Sequence, residues 1–295
     1  MGSTPGKPRA YRSQSSRAVS EAQVIVLAEN QTSPGLEGEH GLSLLVLAHG
    51  HRVLFDTGAT GVLLRNAKSM GVAHELAQID AVVVSHGHYD HAGGLAAVLE
   101  HVRRPIPVHV RPGFFAPRLS VRGDIPRAIG VPFEQPFLEN LGARFVGEAQ
   151  GREILPGFWL TGEIPMREEQ EAGEVGLMLG AVREHAVADA FCDEHALAVD
   201  TERGLAVLVG CSHRGLVNSI LAAKAAAHGG QVAIVLGGAH LRSATPAQID
   251  WTIQKTQALA PHLALGHCTG PPAEAHFAAA YGDRFCRLKT GWRWS

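Results

Sequence analysis

The sequence predicts an α/β fold, a four-layer αββα sandwich in which two helix-backed sheets face each other. Residues 81–103 run in the order strand, histidine-rich loop, helix, and residues 205–228 repeat that order. The strands of both segments are short, apolar and rich in valine or leucine, as buried strands usually are. Two such halves, packed sheet against sheet, form a sandwich with pseudo-two-fold symmetry.

Hydrophobic periodicity and turn residues predict the remaining elements. Apolar runs bounded by Gly or polar residues indicate strands, and helices end at Gly or before Pro. His49 and His51 flank Gly50 and are expected at an exposed hairpin tip, because no strand end of the right polarity follows them. We expect a strand at Val24–Leu27, a loop at Glu29–Gly41, a hairpin over 42–55, and helices at Thr60–Gly71, Gly94–Arg103, Leu216–His228 and 246–259.

Composition excludes several classes of protein. The chain has 295 residues, of which 45% are hydrophobic and 18% charged, values typical of globular proteins. A formal net charge of −2 gives no field for nucleic acid or an anionic membrane surface. No apolar stretch reaches the ~18 residues of a spanning helix, and four cysteines in so long a chain do not make a disulfide scaffold. We therefore expect a cytoplasmic protein with a small-molecule substrate; the oligomeric state stays open.

The first twenty residues differ from the rest of the chain. Residues 1–20 contain four basic residues, several serines and two prolines, and no acidic residue. Such a composition suits a disordered leader rather than a packed element. We therefore expect a leader over 1–20 and a single domain over 21–295.

Four apolar runs end in the same way, with a histidine shortly after the last strand residue. In sandwich and α/β folds such strand ends gather at one edge of a sheet, so histidines far apart in sequence can converge. The runs are Ala81–Val84 before His86, Leu205–Val209 before His213, Val232–Leu236 before His240, and Leu263–Leu265 before His267.

The first of these runs leads into the pattern His-x-His-x-Asp-His, at His86, His88, Asp90 and His91. Imidazole and carboxylate are the ligands that Zn, Fe and Mn use in proteins. In an extended segment residues two apart point the same way, so His86 and His88 can bind one ion together. Asp90 and His91 follow as the chain turns, and they can face a second ion.

This pattern resembles the metal motif of the metallo-β-lactamase superfamily, whose members have an αββα sandwich with a two-metal site at one edge. Further segments resemble a subgroup of dihydropterin ribofuranosylaminobenzene phosphate synthases and metal-dependent hydrolases. The resemblance runs from about Val24 to the C-terminus. The matching segments are Leu54–Gly58, Thr161–Pro165, Gly210–Asn218, Gly237–Leu241 and His267–Gly270.

The resemblance implies two ligand sets. His86, His88 and a later histidine would hold metal one, and Asp90, His91 and another later histidine would hold metal two. Among the later candidates we choose His213 for metal one and His267 for metal two. Two divalent ions are expected, with zinc as the first choice and manganese or iron as alternatives.

Three further residues near these motifs are open to more than one interpretation. Cys211 stands where many members carry an Asp that bridges the metals, so it is either a ligand or a small buried residue at a strand end. Asp56 is expected to orient a ligand histidine rather than to bind metal. His240 follows two glycines, and we expect it to act with Asp90 in catalysis, as an acid or an oxyanion donor.

The implied activity is hydrolysis of a small phosphoester or pyrophosphate by a metal-bound hydroxide. One alternative is a transferase that condenses a dihydropterin pyrophosphate with an aminobenzene ribofuranosyl phosphate. An iron-dependent oxidoreductase and a non-catalytic ligand-binding protein are alternatives of other classes. No Ser-His-Asp or Cys-His nucleophile is visible, which favours a metal-dependent mechanism.

Residues around 111–190 are expected to form an insertion that faces the substrate. Phe114 and Phe133 either line a pocket for a flat ring or cover the sandwich core. Arg214 and Glu163 are candidate substrate contacts, and each is equally compatible with a solvated loop charge.

Overall fold

The computed structural model describes residues 22–147, 149–171 and 175–295; the leader expected over 1–20 lies outside these ranges. The strands are β1 (Gln23–Ala28), β2 (Ser43–Ala48), β3 (His51–Phe55), β4 (Ala81–Val83), β5 (Ile106–Val110), β6 (Arg118–Ser120), β7 (Arg127–Ala128), β8 (Ala143–Gly147), β9 (Gln150–Leu155), β10 (Phe158–Gly162), β11 (Leu177–Leu179), β12 (Val187–Ala188), β13 (Leu197–Thr201), β14 (Gly204–Val209), β15 (Val232–Gly238), β16 (Leu263–Gly266), β17 (Phe285–Arg287) and β18 (Arg293–Trp294). The helices are α1 (Val62–Ser69), α2 (Ala73–Ala77), α3 (Tyr89–Ala92), α4 (Leu95–Val102), α5 (Gln135–Asn140), α6 (Leu216–Ala226), α7 (Pro246–Leu259) and α8 (Pro271–Tyr281).

Two seven-stranded sheets form the centre of the protein. The first has the order β18-β1-β2-β3-β4-β5-β8, and the second has the order β17-β16-β15-β14-β13-β10-β9. The strands that precede the histidine loops have parallel neighbours: β4 runs parallel to β3 and β5, and β14, β15 and β16 run parallel to one another. Their carboxyl ends therefore point to the same edge of each sheet.

Three apolar layers confirm the predicted αββα sandwich. Side chains alternate along β1, so that Val24 and Val26 pack between the sheets while Ile25 and Leu27 pack under the first helices. Phe158 and Leu208 meet the first sheet from the second. On its outer face the second sheet packs against α6, α7 and α8 through a third buried cluster. The fold thus has the layer order helix, sheet, sheet, helix.

The predicted helices are present with shorter ends. Thr60–Gly71 corresponds to α1, Gly94–Arg103 to α4, and Leu216–His228 to α6. α7 begins as predicted, because the Thr245 hydroxyl caps it by accepting the Gln248 N–H at 3.2 Å. No helix among the described residues is both long and apolar enough to cross a bilayer.

The segment around 111–190 contains two kinds of strand. β6, β7, β11 and β12 form a small third sheet in the order β12-β11-β6-β7. β8, β9 and β10 lie in the same stretch but join the edges of the two main sheets. The third sheet reaches the histidine edge, since Gly130 forms a bridge with His88 just after β7.

Candidate metal centre

The histidine loops converge at one edge of the sandwich. β4 leads to His86 and His88, β14 to His213, and β16 to His267. Asp90 and His91 lie in α3, the short helix that begins directly after His88. The centre therefore takes side chains from both sheets.

His86, His88 and His213, which we call the first ligand set, lie in direct contact. His86 Nε2 is 3.0 Å from His88 Nδ1, and the ring of His213 lies 4.8 Å from that of His86 and 5.0 Å from that of His88. All three side chains are buried. Burial lowers the pKa of each, to about 3 for His88, so the imidazoles are neutral at pH 7. Neutral imidazole is the form that binds metal.

Unpartnered nitrogen atoms show that the first ligand set fits a metal ion. Among the described residues, His88 Nε2 and both ring nitrogens of His213 have no hydrogen-bond partner, although they are buried. A buried polar atom without a partner is costly, and natural proteins rarely leave one. A divalent ion bound by these nitrogens would remove that cost.

Asp90, His91 and His267, the second ligand set, form a similar group. His267 Nε2 is 3.2 Å from His91 Nε2 and 3.4 Å from Asp90 Oδ2. Burial alone would raise the pKa of Asp90, but His91 and His267 bring it well below its ordinary value. Burial lowers the pKa of His267. A carboxylate and a neutral imidazole are thus available for a second ion.

Asp56 contacts His91, one of the predicted ligands. Its Oδ2 lies 2.6 Å from His91 Nδ1, and its two oxygens also accept from the backbone N–H and hydroxyl of Ser85 at 2.7 and 2.8 Å. Burial alone would lower the pKa of His91, but Asp56 and Asp90 raise it overall. A carboxylate on Nδ1 leaves Nε2 to face the metal position.

Cys211 lies between the two ligand sets. Its Sγ is 3.2 Å from His91 Nε2, and it belongs to one group with His86 and His213 and to another with His91 and His267, in which all ligand atoms lie within 4.8 Å of one another. Burial raises the pKa of its thiol well above the ordinary value. This location is where a bridging ligand would stand.

His240 lies beside the ligand sets. Its ring is 4.2 Å from that of His213, and burial lowers its pKa to about 3. The glycines before it allow close packing, because a Cβ at Gly238 would lie 2.4 Å from the Sγ of Cys268. The backbone of His240 is left-handed, with φ of 44°. A neutral imidazole is therefore placed next to the metal positions.

The polar loop at residues 29–41 supplies residues that sequence reasoning did not select. His40 Nε2 lies 3.2 Å from Asp90 Oδ2, and its ring stacks on that of His267 at 5.1 Å. Glu29 accepts the backbone N–H of His267, and Asn30 Oδ1 is 3.0 Å from His267 Nδ1. The sequence predicted a loop near the site here, but nothing in it singled out these side chains.

Three arginines border the cavity above the two ligand sets. This cavity, the metal cavity, has a volume of about 280 Å³ and is lined by Arg122, Arg127 and Arg242 together with His40 and Asp90. The third sheet or its loops carry two of these arginines, and the loop after His240 carries the other. The edge is therefore cationic although the whole chain carries a formal charge of −2.

Arg214 and Glu163 do not line the metal cavity. Arg214 donates to the backbone carbonyls of Ile164 and Ala190 at 3.0 and 2.8 Å, and lies 3.5 Å from Glu163. These contacts connect neighbouring loops, so the Arg214 guanidinium donates its hydrogen bonds to the protein's own backbone. This location favours the structural interpretation of both residues over substrate contact.

The two phenylalanines also lie away from the cavity. Phe114 is 2% exposed and belongs to the core cluster under the first sheet, where its ring is 4.8 Å from that of Phe115. Phe133 packs against the same cluster and stacks on Phe137 at 5.6 Å. Their placement favours the core-covering role over a pocket for a flat ring.

A second cavity adjoins the metal cavity. It has a volume of about 380 Å³ and shares Arg122, His213 and His240 with the metal cavity. Its far side is formed by Glu171 and by the beginning of α6. A molecule larger than one phosphate group therefore finds room beside the ligand sets.

Matches to known sequences identify a family and a relative that covers most of the chain. The sequence model described as the metallo-beta-lactamase superfamily matches residues 36–174. The 7,8-dihydropterin-6-methyl-4-(beta-D-ribofuranosyl)-aminobenzene-5'-phosphate synthase of Methanocaldococcus jannaschii is 30% identical over 291 residues, which cover 92% of this chain and 96% of the relative.

Solved structures show the same architecture. A metal-dependent hydrolase of the beta-lactamase superfamily superimposes with a TM-score of 0.78 at 29% identity, covering 93% of this chain and 98% of the other. A diphosphatase from the PhnP family matches with a TM-score of 0.54 at 14% identity over 94% of this chain and 97% of the other, and it bears on the fold alone. The motif, the fold and these matches agree: the chain belongs to the metallo-β-lactamase superfamily.

Proposed function

We propose that the protein is a hydrolase that uses two divalent metal ions, zinc by first choice, and cleaves a small phosphoester or pyrophosphate. One observation carries the proposal: two sets of metal-type ligands open onto a cavity bordered by three arginines. The 29% identical solved relative, described as a metal-dependent hydrolase, supports the same reaction class.

The residues of the site would have two roles, metal binding and substrate binding. His86, His88 and His213 would hold one ion, and the second ligand set would hold the other. Bound there, two divalent ions would act as Lewis acids toward an anionic oxygen. Neutral His240 offers an N–H hydrogen bond to an anionic group in the cavity, because its pKa of about 3 keeps it uncharged at pH 7.

The three arginines that line the metal cavity are the reason for proposing an anionic substrate. A guanidinium can donate two parallel hydrogen bonds to a phosphate and keeps its charge at every relevant pH. Arg122 and Arg127 come from the third sheet and its loops, Arg242 comes from the loop after His240, and all three line the metal cavity. A phosphate between them would be oriented with its scissile bond toward the ligand sets.

A second candidate function is a transferase, which the two adjoining cavities favour. The 30% identical relative is a synthase named for a pterin joined to a ribofuranosyl aminobenzene phosphate. A condensation needs room for two substrates, and the second cavity of about 380 Å³ provides it. In that reaction an arylamine nitrogen would form a bond to the pterin methylene carbon as pyrophosphate leaves.

A single set of assays separates the two functions. Zinc-loaded protein is incubated with a phosphodiester, a pyrophosphate and a lactone, and separately with dihydropterin pyrophosphate with and without the aminobenzene ribofuranosyl phosphate. Hydrolysis requires cleavage of a single substrate, the phosphodiester to an alcohol and a phosphomonoester or the pyrophosphate with release of phosphate, while the lactone stays unreacted. Pyrophosphate release that depends on the amine supports the transferase, and lactone cleavage alone contradicts both.

A further inference from the structure

A short segment before β13 connects the two sheets at the metal edge. Phe191, Asp193, Glu194 and His195 are each at most 2% exposed. No motif in the sequence singled out this segment, because it lies outside the histidine loops. We call it the 191–195 segment.

One end of the segment holds the loop of the first sheet. Asp193 Oδ2 accepts the N–H of Gly87, the residue between His86 and His88, at 2.8 Å. Arg118 donates to the carbonyl of the same glycine at 3.2 Å and pairs with Asp193 at 2.6 Å. Both polar groups of Gly87 are therefore fixed. A Cβ at Gly87 would lie 2.0 Å from the carbonyl oxygen of Phe114, so the loop packs directly against the backbone of Phe114.

The same segment holds the loop of the second sheet. Glu194 accepts the backbone N–H groups of His213 and Arg214 at 2.8 and 2.7 Å. The ring of Phe191 stacks on that of His213, with centroids 3.9 Å apart and planes 5° from parallel. Two adjacent carboxylates thus reach two loops that belong to different sheets.

The second ligand set has its own supports. Glu29 accepts the backbone N–H of His267, and Asn30 contacts its ring and its carbonyl. Asp56 fixes the ring of His91. Each set therefore has a buried carboxylate that holds a ligand histidine through its backbone, Glu194 for His213 and Glu29 for His267.

We propose that the 191–195 segment positions His86, His88 and His213 for the first metal ion, while Glu29 and Asn30 position His267 for the second. Two buried carboxylates placed side by side are costly unless each is fully hydrogen-bonded. Here each accepts backbone N–H from a different ligand loop, and Arg118 pairs with Asp193, which links the two loops into one rigid frame. The inference rests on the metal-binding part of the proposed function and not on its substrate.

The test measures zinc affinity at each site rather than activity. Wild-type protein stripped of metal is titrated with zinc against a chromophoric chelator. His213→Ala leaves the second ligand set intact, and His267→Ala leaves the first set intact. Glu194→Gln and Glu29→Gln, the matched pair, are then placed in each background.

His267→Ala leaves only the first ligand set intact. In this background we expect Glu194→Gln to weaken zinc affinity by roughly 10- to 100-fold, as is usual for residues that orient metal ligands. In the His213→Ala background, Glu194→Gln should change the zinc affinity of the second ligand set less than threefold. Glu29→Gln should instead weaken zinc affinity at the second ligand set and change that of the first less than threefold. Equal losses at both sites, or none at the first, would overturn the proposal, since a merely structural carboxylate has no preference between ions.

A second variant with a smaller chemical change tests the proposal if Glu194→Gln fails to fold. Phe191→Leu keeps an apolar side chain but removes the stacking on His213. It should weaken zinc affinity only at the first ligand set, with little change in the melting temperature of the metal-free protein. Wild type that binds two ions but hydrolyses nothing would refute the proposed function and leave this proposal standing. Wild type that binds no zinc would refute both.

Discussion

Cys211 can serve either as a metal ligand or as a small packed residue, and its thiol lies between the two ligand sets. Zinc binds thiolate rather than thiol, and burial raises the pKa of the Cys211 thiol, whereas an aspartate carboxyl group is ordinarily ionised at neutral pH. We expect Cys211→Asp to retain two zinc ions per chain and Cys211→Ala to lose part of the second, because alanine offers no donor atom. Elemental analysis of desalted protein checks this. If Cys211→Asp loses both ions while Cys211→Ser keeps them, packing at this position dominates over ligand chemistry.

The arginines that border the metal cavity give a second prediction at this scale. Arg242→Ala should raise KM for a phosphorylated substrate about 10- to 100-fold, the equivalent of losing a hydrogen bond to a charged group. The value of kcat should change little, because the ligand sets stay intact. Arg203→Ala is the control, since Arg203 lies over Trp294 and away from the metal cavity. A drop in kcat without a change in KM would contradict a role in substrate binding.

Some site residues could be predicted from the sequence, and others could not, for a physical reason. His86, His88, Asp90 and His91 form a compact motif whose chemistry is visible locally. Asp193 meets Gly87 across 106 positions of sequence, and such a contact leaves no local pattern. In the sequence Arg242 looks like any other charged loop residue, and only the fold brings it to the same cavity as residues of the third sheet.

At the scale of elements, prediction succeeded where burial imposed a regular pattern. β1 and β14 are almost wholly buried, so their apolar runs stand out in the sequence. β6, β7, β11 and β12 have only two or three residues each, too few to show an alternation of period two. The sequence therefore predicted no strand in the segment around 111–190, although β8–β10 within it extend the main sheets.

The beginning of α6 offers a pH-dependent test. Glu171 accepts the N–H groups of Val217 and Asn218 at 2.8 Å, and burial raises its pKa from 4.5 to about 7. The folded protein therefore holds this proton up to a higher pH than the unfolded chain does. The contribution of the carboxyl group to stability is complete below about pH 4.5 and declines as the pH rises through about 7.

Relative to Glu171→Gln, the free energy of unfolding of the wild type should fall by up to about 3 kcal/mol between pH 4.5 and pH 8, at 1.36 kcal/mol per pKa unit. Urea unfolding of both metal-free proteins across this range measures the difference, and other titrating groups cancel. A difference that stays constant with pH would mean that the two backbone N–H groups outweigh burial.

At the scale of the whole molecule, the metal centre joins the two halves of the sandwich. The first ligand set takes His86 and His88 from the first sheet and His213 from the second. The chain ends also cross between the sheets, since β17 closes the second sheet while β18 pairs with β1 in the first. That crossing was not predictable, because the last strands are short and carry no distinctive pattern.

Removal of metal should therefore destabilise the entire protein. An ion present at 100 times its dissociation constant adds about 2.7 kcal/mol per site. For domains of 150–250 residues, 1 kcal/mol corresponds to about 2–4 °C in melting temperature. We expect a chelator to lower the melting temperature by about 5 °C or more, and added zinc to restore it. His213→Ala should show a smaller drop, and an unchanged melting temperature in wild type would argue that the ions do not join the halves.

The spread of ligands along the chain has a consequence for synthesis of the protein. His91 and His267 meet at the centre but are 176 positions apart in sequence. At a translation rate of about 5–20 residues per second, on the order of ten seconds or more separates their emergence from the ribosome. During that interval the nascent chain presents the histidines of its first half to the cell without the partners that complete the site. The second ligand set can therefore be completed only after β16 and the loop that follows it have been synthesised.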